Sequence, residues 1–89
     1  MPSRDITIIN KLGLHARAAA KFVATASQYT AGIRVHRGDK SVNGKSIMGV
    51  MMLAAGQGTV LTVEAEGEDA EEALDALEAL VQERFLETE

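Results

Sequence analysis

Apolar and polar residues change their spacing several times along this chain, and each change marks an element. Asp5-Ile6-Thr7-Ile8-Ile9 alternates polar with β-branched positions, the period-two pattern of a half-buried strand with Ile6 and Ile8 on the core face. Asn10-Lys11-Leu12-Gly13-Leu14 then turns the chain. From Ala16 onward, Ala19, Phe22, Val23 and Ala26 fall at i, i+3, i+4 and i+7, which predicts a slim, alanine-rich helix ending near Gln28. Thr30 and Gly32 break that pattern, and Ile33-Arg34-Val35-His36 returns to alternation. Arg37-Gly38-Asp39-Lys40 reads as a hairpin connection to a short strand around Ser41-Val42.

Asn43-Gly44-Lys45-Ser46 is a second turn, and Ser46 is placed to N-cap a helix from Ile47 to about Ala54. That helix is apolar nearly all round. Ile47, Val50, Met51 and Ala54 share one arc, and Met48, Met52 and Ala55 widen it beyond what one core-facing stripe requires. A short helix in a small protein is hard to bury on every side, so Met48 and one neighbour are expected to face outward as an adaptable docking surface. Gly56-Gln57-Gly58 ends it, and Thr59–Ala65 reads as a further strand. Beyond Gly67, Asp69 is expected to cap a last helix, with Glu72 reaching back as its capping-box partner. Ala70, Ala73, Leu74, Leu77, Leu80, Val81 and Phe85 give that helix its apolar stripe, and Thr88-Glu89 are expected to fray. The order is β-α-β-β-α-β-α. Alternating strands call for one sheet face under helices and one in water, an α+β layer rather than a doubly covered parallel sheet.

Composition narrows what such a layer does. The 89 residues fit a single domain over 1–89, too small for a deep cleft and a substrate-binding subdomain together. Cysteine is absent, which removes disulfides and thiolate metal sites. Met1-Pro2-Ser3-Arg4-Asp5 lacks a signal peptide's apolar run, and no stretch approaches a membrane span, so a cytoplasmic soluble protein is expected. Three aromatic residues and no Trp offer little for nucleic-acid bases to stack on. The net charge of −4 hides an asymmetry. Residues 1–45 carry eight of the nine Lys/Arg and two of the thirteen Asp/Glu, a balance of +6; residues 46–89 carry the rest, a balance of −10. The basic half could steer an acidic partner or anionic donor, whereas the acidic half reads most simply as a solvated helix face.

His15 stands at the predicted entrance of the first helix. Ser, Thr, Asp and Asn are better caps, so a histidine there hints at function. The first amides of a helix have no internal partner and carry the positive end of its dipole, which suits an anion. A neutral imidazole is nucleophilic without a general base. A phosphoryl group on His15 would face the amides of Ala16, Arg17 and Ala18, with the Arg17 guanidinium able to add a charge-assisted bond. Two other readings fail. Gly38 to Gly44 leaves five residues between glycines, and a phosphate-cradling Walker loop needs four. His36, alternating with Ile33 and Val35, should point to the wet sheet face, and two histidines without Cys or clustered carboxylates make no metal site.

Gly13-Leu14-His15-Ala16-Arg17 and Gly44-Lys45-Ser46-Ile47-Met48-Gly49-Val50-Met51 together resemble the histidine-containing phosphocarrier (HPr) family of the bacterial phosphoenolpyruvate-dependent phosphotransferase system. The resemblance covers essentially the whole chain. It implies an open-faced sandwich, a four-stranded antiparallel sheet with three helices on one face. It also implies a carrier, not an enzyme with its own turnover, that takes phosphoryl from enzyme I on a histidine ring nitrogen and passes it to a IIA-type protein or domain, for sugar uptake or its regulation. By position, His15 is similar to the phosphorylated residue, Arg17 to its anion-stabilising neighbour, and Ser46 to the serine that a dedicated kinase and phosphorylase modify in part of the family. Ile47, Met48 and Met51 are similar to its hydrophobic docking patch. Ala18 departs from the proline found in many members, which leaves one more amide donor and leaves open the sugar or the nitrogen-related branch. No cofactor, metal, nucleic acid or membrane is implied, and a monomer is expected. The rival from another class is a regulatory docking module that engages partners through the Ile47–Met51 helix without transferring phosphate. An RNA- or ligand-binding α+β domain is disfavoured by the acidic balance and the scarce aromatics.

Overall fold

Alternation along each strand sets the architecture: in the computed structural model, which describes residues 2–86, every apolar strand position on one sheet face is covered. The strands are β1 (Ser3–Thr7), β2 (Gly32–Arg37), β3 (Lys40–Asn43) and β4 (Val60–Glu66); the helices are α1 (Ala16–Ala26), α2 (Ile47–Met51) and α3 (Ala70–Gln82). The sheet is antiparallel with strand order β1-β4-β2-β3. Ile6, Ile33, Val35, Leu61, Val63 and Ala65 point to the covered face, where Ala18, Ala19, Phe22 and Ala26 of α1 and Ala73, Leu74, Leu77 and Val81 of α3 meet them in one core. Ile8 continues beyond β1: its amide donates to Thr59 O at 2.8 Å and its carbonyl accepts from the Gly58 amide at 2.7 Å. This is the open-faced sandwich that the periodicity and the resemblance imply, with three helices over a four-stranded antiparallel sheet.

The other face is wet and laced by polar pairs. Thr62 Oγ1 donates to Asp5 at 2.8 Å, Arg34 donates to Ser41 Oγ, and His36 Nε2 pairs with Glu64. His36 thus lies on the open face, as its alternation predicts, but half-buried beside a carboxylate. The acidic face of α3 is anchored as well as solvated, because Arg4 of β1 reaches Glu71, Asp75 and Glu78, one helical turn apart.

Four expectations are corrected. The second helix is regular only over Ile47–Met51; Leu53 and Ala54 donate three residues back, to Val50 O and Met51 O, and Ala54 then adopts φ +51°, which ends the element. Across the helix and the turn that follows it, Ala54 is exposed, and the inward positions are Val50, Leu53 and Ala55. Asp69 does precede α3, but its side chain makes no cap, and Glu72 does not close a capping box with it. The Asp69 carboxylate instead accepts from the amides of Thr30 and Ala31, both at 2.8 Å, in the turn between α1 and β2. Gly67 permits this approach, since a Cβ there would lie 2.9 Å from Ala31 Cα. Finally, Phe85 is not on α3. The helix ends at Gln82, and Arg84, Phe85 and Leu86 turn back with φ of 55°, 55° and 64°, which buries Phe85 while Lys21 Nζ donates to its carbonyl at 2.6 Å. Thr88 and Glu89 lie outside the described residues.

Candidate functional site

His15 is the N-cap of α1. Its backbone is extended, φ −73° and ψ 178°, and its carbonyl accepts the first helical bond, from the Ala19 amide at 2.8 Å. Its half-buried side chain makes no capping bond, so the imidazole does not occupy the amides of Ala16, Arg17 and Ala18, which the helix itself cannot pair. Arg17 is exposed on the first turn, and Ala18 is buried beneath it. The first turn holds no acidic residue to compete with an incoming anion.

The loop that delivers His15 is fastened from below. Asn10 is fully buried; its Nδ2 donates to Gly13 O at 2.9 Å, and the Gly13 amide returns a bond to Asn10 O at 3.2 Å. Gly13 has φ +69°, and a Cβ on it would lie 2.5 Å from Ala55 O and 2.8 Å from Gly56 Cα. The next amide, Leu14, donates to that same Ala55 carbonyl at 2.8 Å. The segment leaving α2 is held in turn by Arg37, whose guanidinium donates to Leu53 O at 2.9 Å. Asn10, Arg37 and Leu53 escaped the sequence reading. An Asn three residues before a glycine at the end of an apolar run was the available signal for the first, as a side chain that stabilises a turn.

The second cluster is built by Ser46 and α2. Ser46 caps as predicted: its Oγ accepts from the Gly49 amide at 3.1 Å, and its carbonyl from Val50 at 2.9 Å. Lys45 beside it donates from Nζ to Tyr29 O at 2.7 Å, which ties this cap to the end of α1. With Val50 and Leu53 inward, the outer surface carries Ile47 (43% exposed), Met48 (72%), Met51 (40%) and Met52 (67%). Leu12, in the loop before His15, is 60% exposed. The apolar exposure is therefore wider than Met48 and one neighbour. A groove of about 260 Å³ lined by Arg34, Asn43, Glu64 and Glu66 lies on the open sheet face and does not include His15. Among the described residues, no three His, Asp or Glu side chains are grouped to hold a metal ion, and no helix is long and apolar enough to cross a membrane.

The fold and site together define a small open-faced sandwich that presents one histidine at a helix entrance, beside an apolar surface on a neighbouring helix. The family model described as the PTS HPr component phosphorylation site matches residues 2–83. The chain is 61% identical to the phosphocarrier protein HPr of Pseudomonas aeruginosa and 54% identical to that of Cupriavidus necator, with all of both chains covered in each case. The crystal structure of an HPr from Thermoanaerobacter tengcongensis superposes with a TM-score of 0.95 at 49% identity, covering both chains fully. The chain belongs to the HPr family of the phosphotransferase system, whose members are phosphocarriers rather than enzymes that turn over a substrate alone.

Proposed function

We propose that His15 is the phosphoryl carrier of this chain, accepting the group from enzyme I and delivering it to a IIA-type protein in the cytoplasm, within a single domain spanning residues 1–89. The observation that carries this reading is His15 as the N-cap of α1, with a side chain that makes no capping bond to the first-turn amides. A ring nitrogen of His15 attacks the donor's phosphorus; the new P–N bond forms as the bond from phosphorus to the donor breaks, and the departing donor atom takes up the proton that the imidazole gives up. The amides of Ala16, Arg17 and Ala18 and the Arg17 guanidinium face the transferred charge and stabilise it. Because they hold the phosphoryl by hydrogen bonds alone, the group stays available for onward transfer.

Ile47, Met48 and Met51 form the docking surface, and Met52 is a further exposed apolar side chain in the turn that follows α2. Ser46 is the regulatory position: a kinase adding a phosphate there would place negative charge at the foot of this surface without removing the cap. The exposed apolar surface alone also supports a docking module that transfers nothing. The two readings part at His15. Intact mass after incubation with phosphoenolpyruvate and purified enzyme I, run beside His15→Ala, should show one acid-labile phosphoryl group on the parent protein and none on the variant. No gain on a folded parent, with a second enzyme I tried, leaves only the docking module.

A further inference from the structure

Three of the chain's four methionines fall within five consecutive residues, and the chain contains neither Cys nor Trp. Thioethers are therefore its most readily oxidised side chains, and they are concentrated in one place. Met48, Met51 and Met52 stand at i, i+3 and i+4, the spacing that brings side chains onto one helix face, and the Met52 amide donates to Met48 O at 3.0 Å. All three are exposed, and none belongs to the core, which α2 and its following turn enter through Val50, Leu53 and Ala55. A peroxide can therefore reach each sulfur without opening the fold, and the product oxygen can be solvated without disturbing it.

We propose that Met48, Met51 and Met52 are a modification site, at which a peroxide converts thioethers to sulfoxides and thereby slows phosphoryl transfer by weakening docking. In each event the sulfur attacks one oxygen of the peroxide; the S–O bond forms as the O–O bond breaks, and with hydrogen peroxide the other oxygen leaves as water. Sulfur loses two electrons and the peroxide gains them. The sulfoxide is a strong acceptor that a partner must desolvate on docking, where the thioether was apolar. The inference rests on the carrier reading above and adds regulation to the same surface.

The test treats the full-length chain with hydrogen peroxide, locates sulfoxides by peptide mass mapping, which separates them from Met1, and follows phosphoryl acceptance from enzyme I. Met48 and Met52 should oxidise before Met51, in line with exposure. The KM for enzyme I should rise at least about tenfold with kcat changed less than about twofold. Melting temperature should move by no more than about 2 °C, and methionine sulfoxide reductase should restore KM. A Met48→Leu/Met51→Leu/Met52→Leu variant, compared only with itself before and after peroxide, should show no rise. Complete sulfoxidation with unchanged KM, sulfurs that stay unreacted, or a rise that persists in the triple variant would each overturn the proposal. An untreated parent that accepts no phosphoryl removes the carrier reading and this inference with it; a parent that accepts but ignores oxidation removes this inference alone.

Discussion

The Leu14 amide donates to the Ala55 carbonyl at 2.8 Å, so the residue preceding the site histidine is bonded to the segment that leaves α2. The His15 loop and the segment that leaves α2 are thus fastened together at a point where Gly13 lies against Ala55 and Gly56.

Replacing that glycine should separate them. Gly13→Ala forces a left-handed alanine and drives a Cβ into Ala55 O at 2.5 Å. The expected loss is about 2 kcal/mol or more, roughly 8–16 °C in melting temperature, with slower phosphoryl acceptance. Gly56→Ala is the control, because its Cβ would meet nothing within 4 Å. Equal thermal melts for the two variants would show that the contact does not matter.

Ser46 serves its helix before it serves any kinase. Ser46→Ala should cost about 1 kcal/mol, since the Gly49 amide loses its acceptor. Ser46→Asp retains an acceptor and should keep the fold while taking phosphoryl from enzyme I more slowly. Chemical denaturation and single-turnover transfer, measured on both, separate the cap from the charge; an unchanged transfer rate in Ser46→Asp speaks against regulation here.

Ala18 supplies a first-turn amide that a proline would lack. Ala18→Pro should fold, because the third helical position tolerates proline, yet its phosphohistidine should hydrolyse several-fold faster, having lost one donor to the phosphoryl oxygens. The half-life of the isolated phosphorylated protein at mildly alkaline pH reads this directly. An unchanged half-life would assign the stabilisation to the remaining amides and Arg17.

Asp69 predicts a pH dependence of stability. The Thr30 amide, and then that of Ala31, hold its carboxyl below the ordinary value of 3.8. A carboxylate whose folded-state value is lowered contributes stability that is complete above its unfolded value and is lost as pH falls through the folded one. Asp69→Asn should therefore be less stable than the parent at neutral pH, and the gap should close as pH drops below 3.8. Urea melts across the acid range follow it; a constant gap would mean that the hydrogen-bond geometry, not the charge, matters.

Regular elements were legible because each rests on a local pattern. Alternation about Ile33 and Val35, the helical spacing of Phe22 and Ala26, and Ser46 before an apolar run each state their element within a few residues. His15 and Ser46 were legible for the same reason, since a cap is a local relationship. What escaped were bonds between distant segments. Asp69 looks like a cap and would have been one, had Gly67 not brought it within reach of the Thr30 and Ala31 amides. Phe85 fits the stripe of α3 by spacing, yet it is buried through a left-handed turn beyond the helix. Ala54 left the arc of Ile47, Val50 and Met51 because the chain tightens after Met51, a change that no apolar count reveals.

The strand order β1-β4-β2-β3 places the last strand made between the first two. β1 has no neighbour until β4 is synthesised, and the Ile8–Thr59 and Leu14–Ala55 bonds that hold the His15 loop wait for residues that just precede it. During translation the histidine emerges early, yet its setting is completed only after roughly half of the chain has followed. A nascent or truncated chain that stops short of these residues therefore displays His15 without the bonds that position it, and on the carrier reading should accept phosphoryl more slowly than the finished chain.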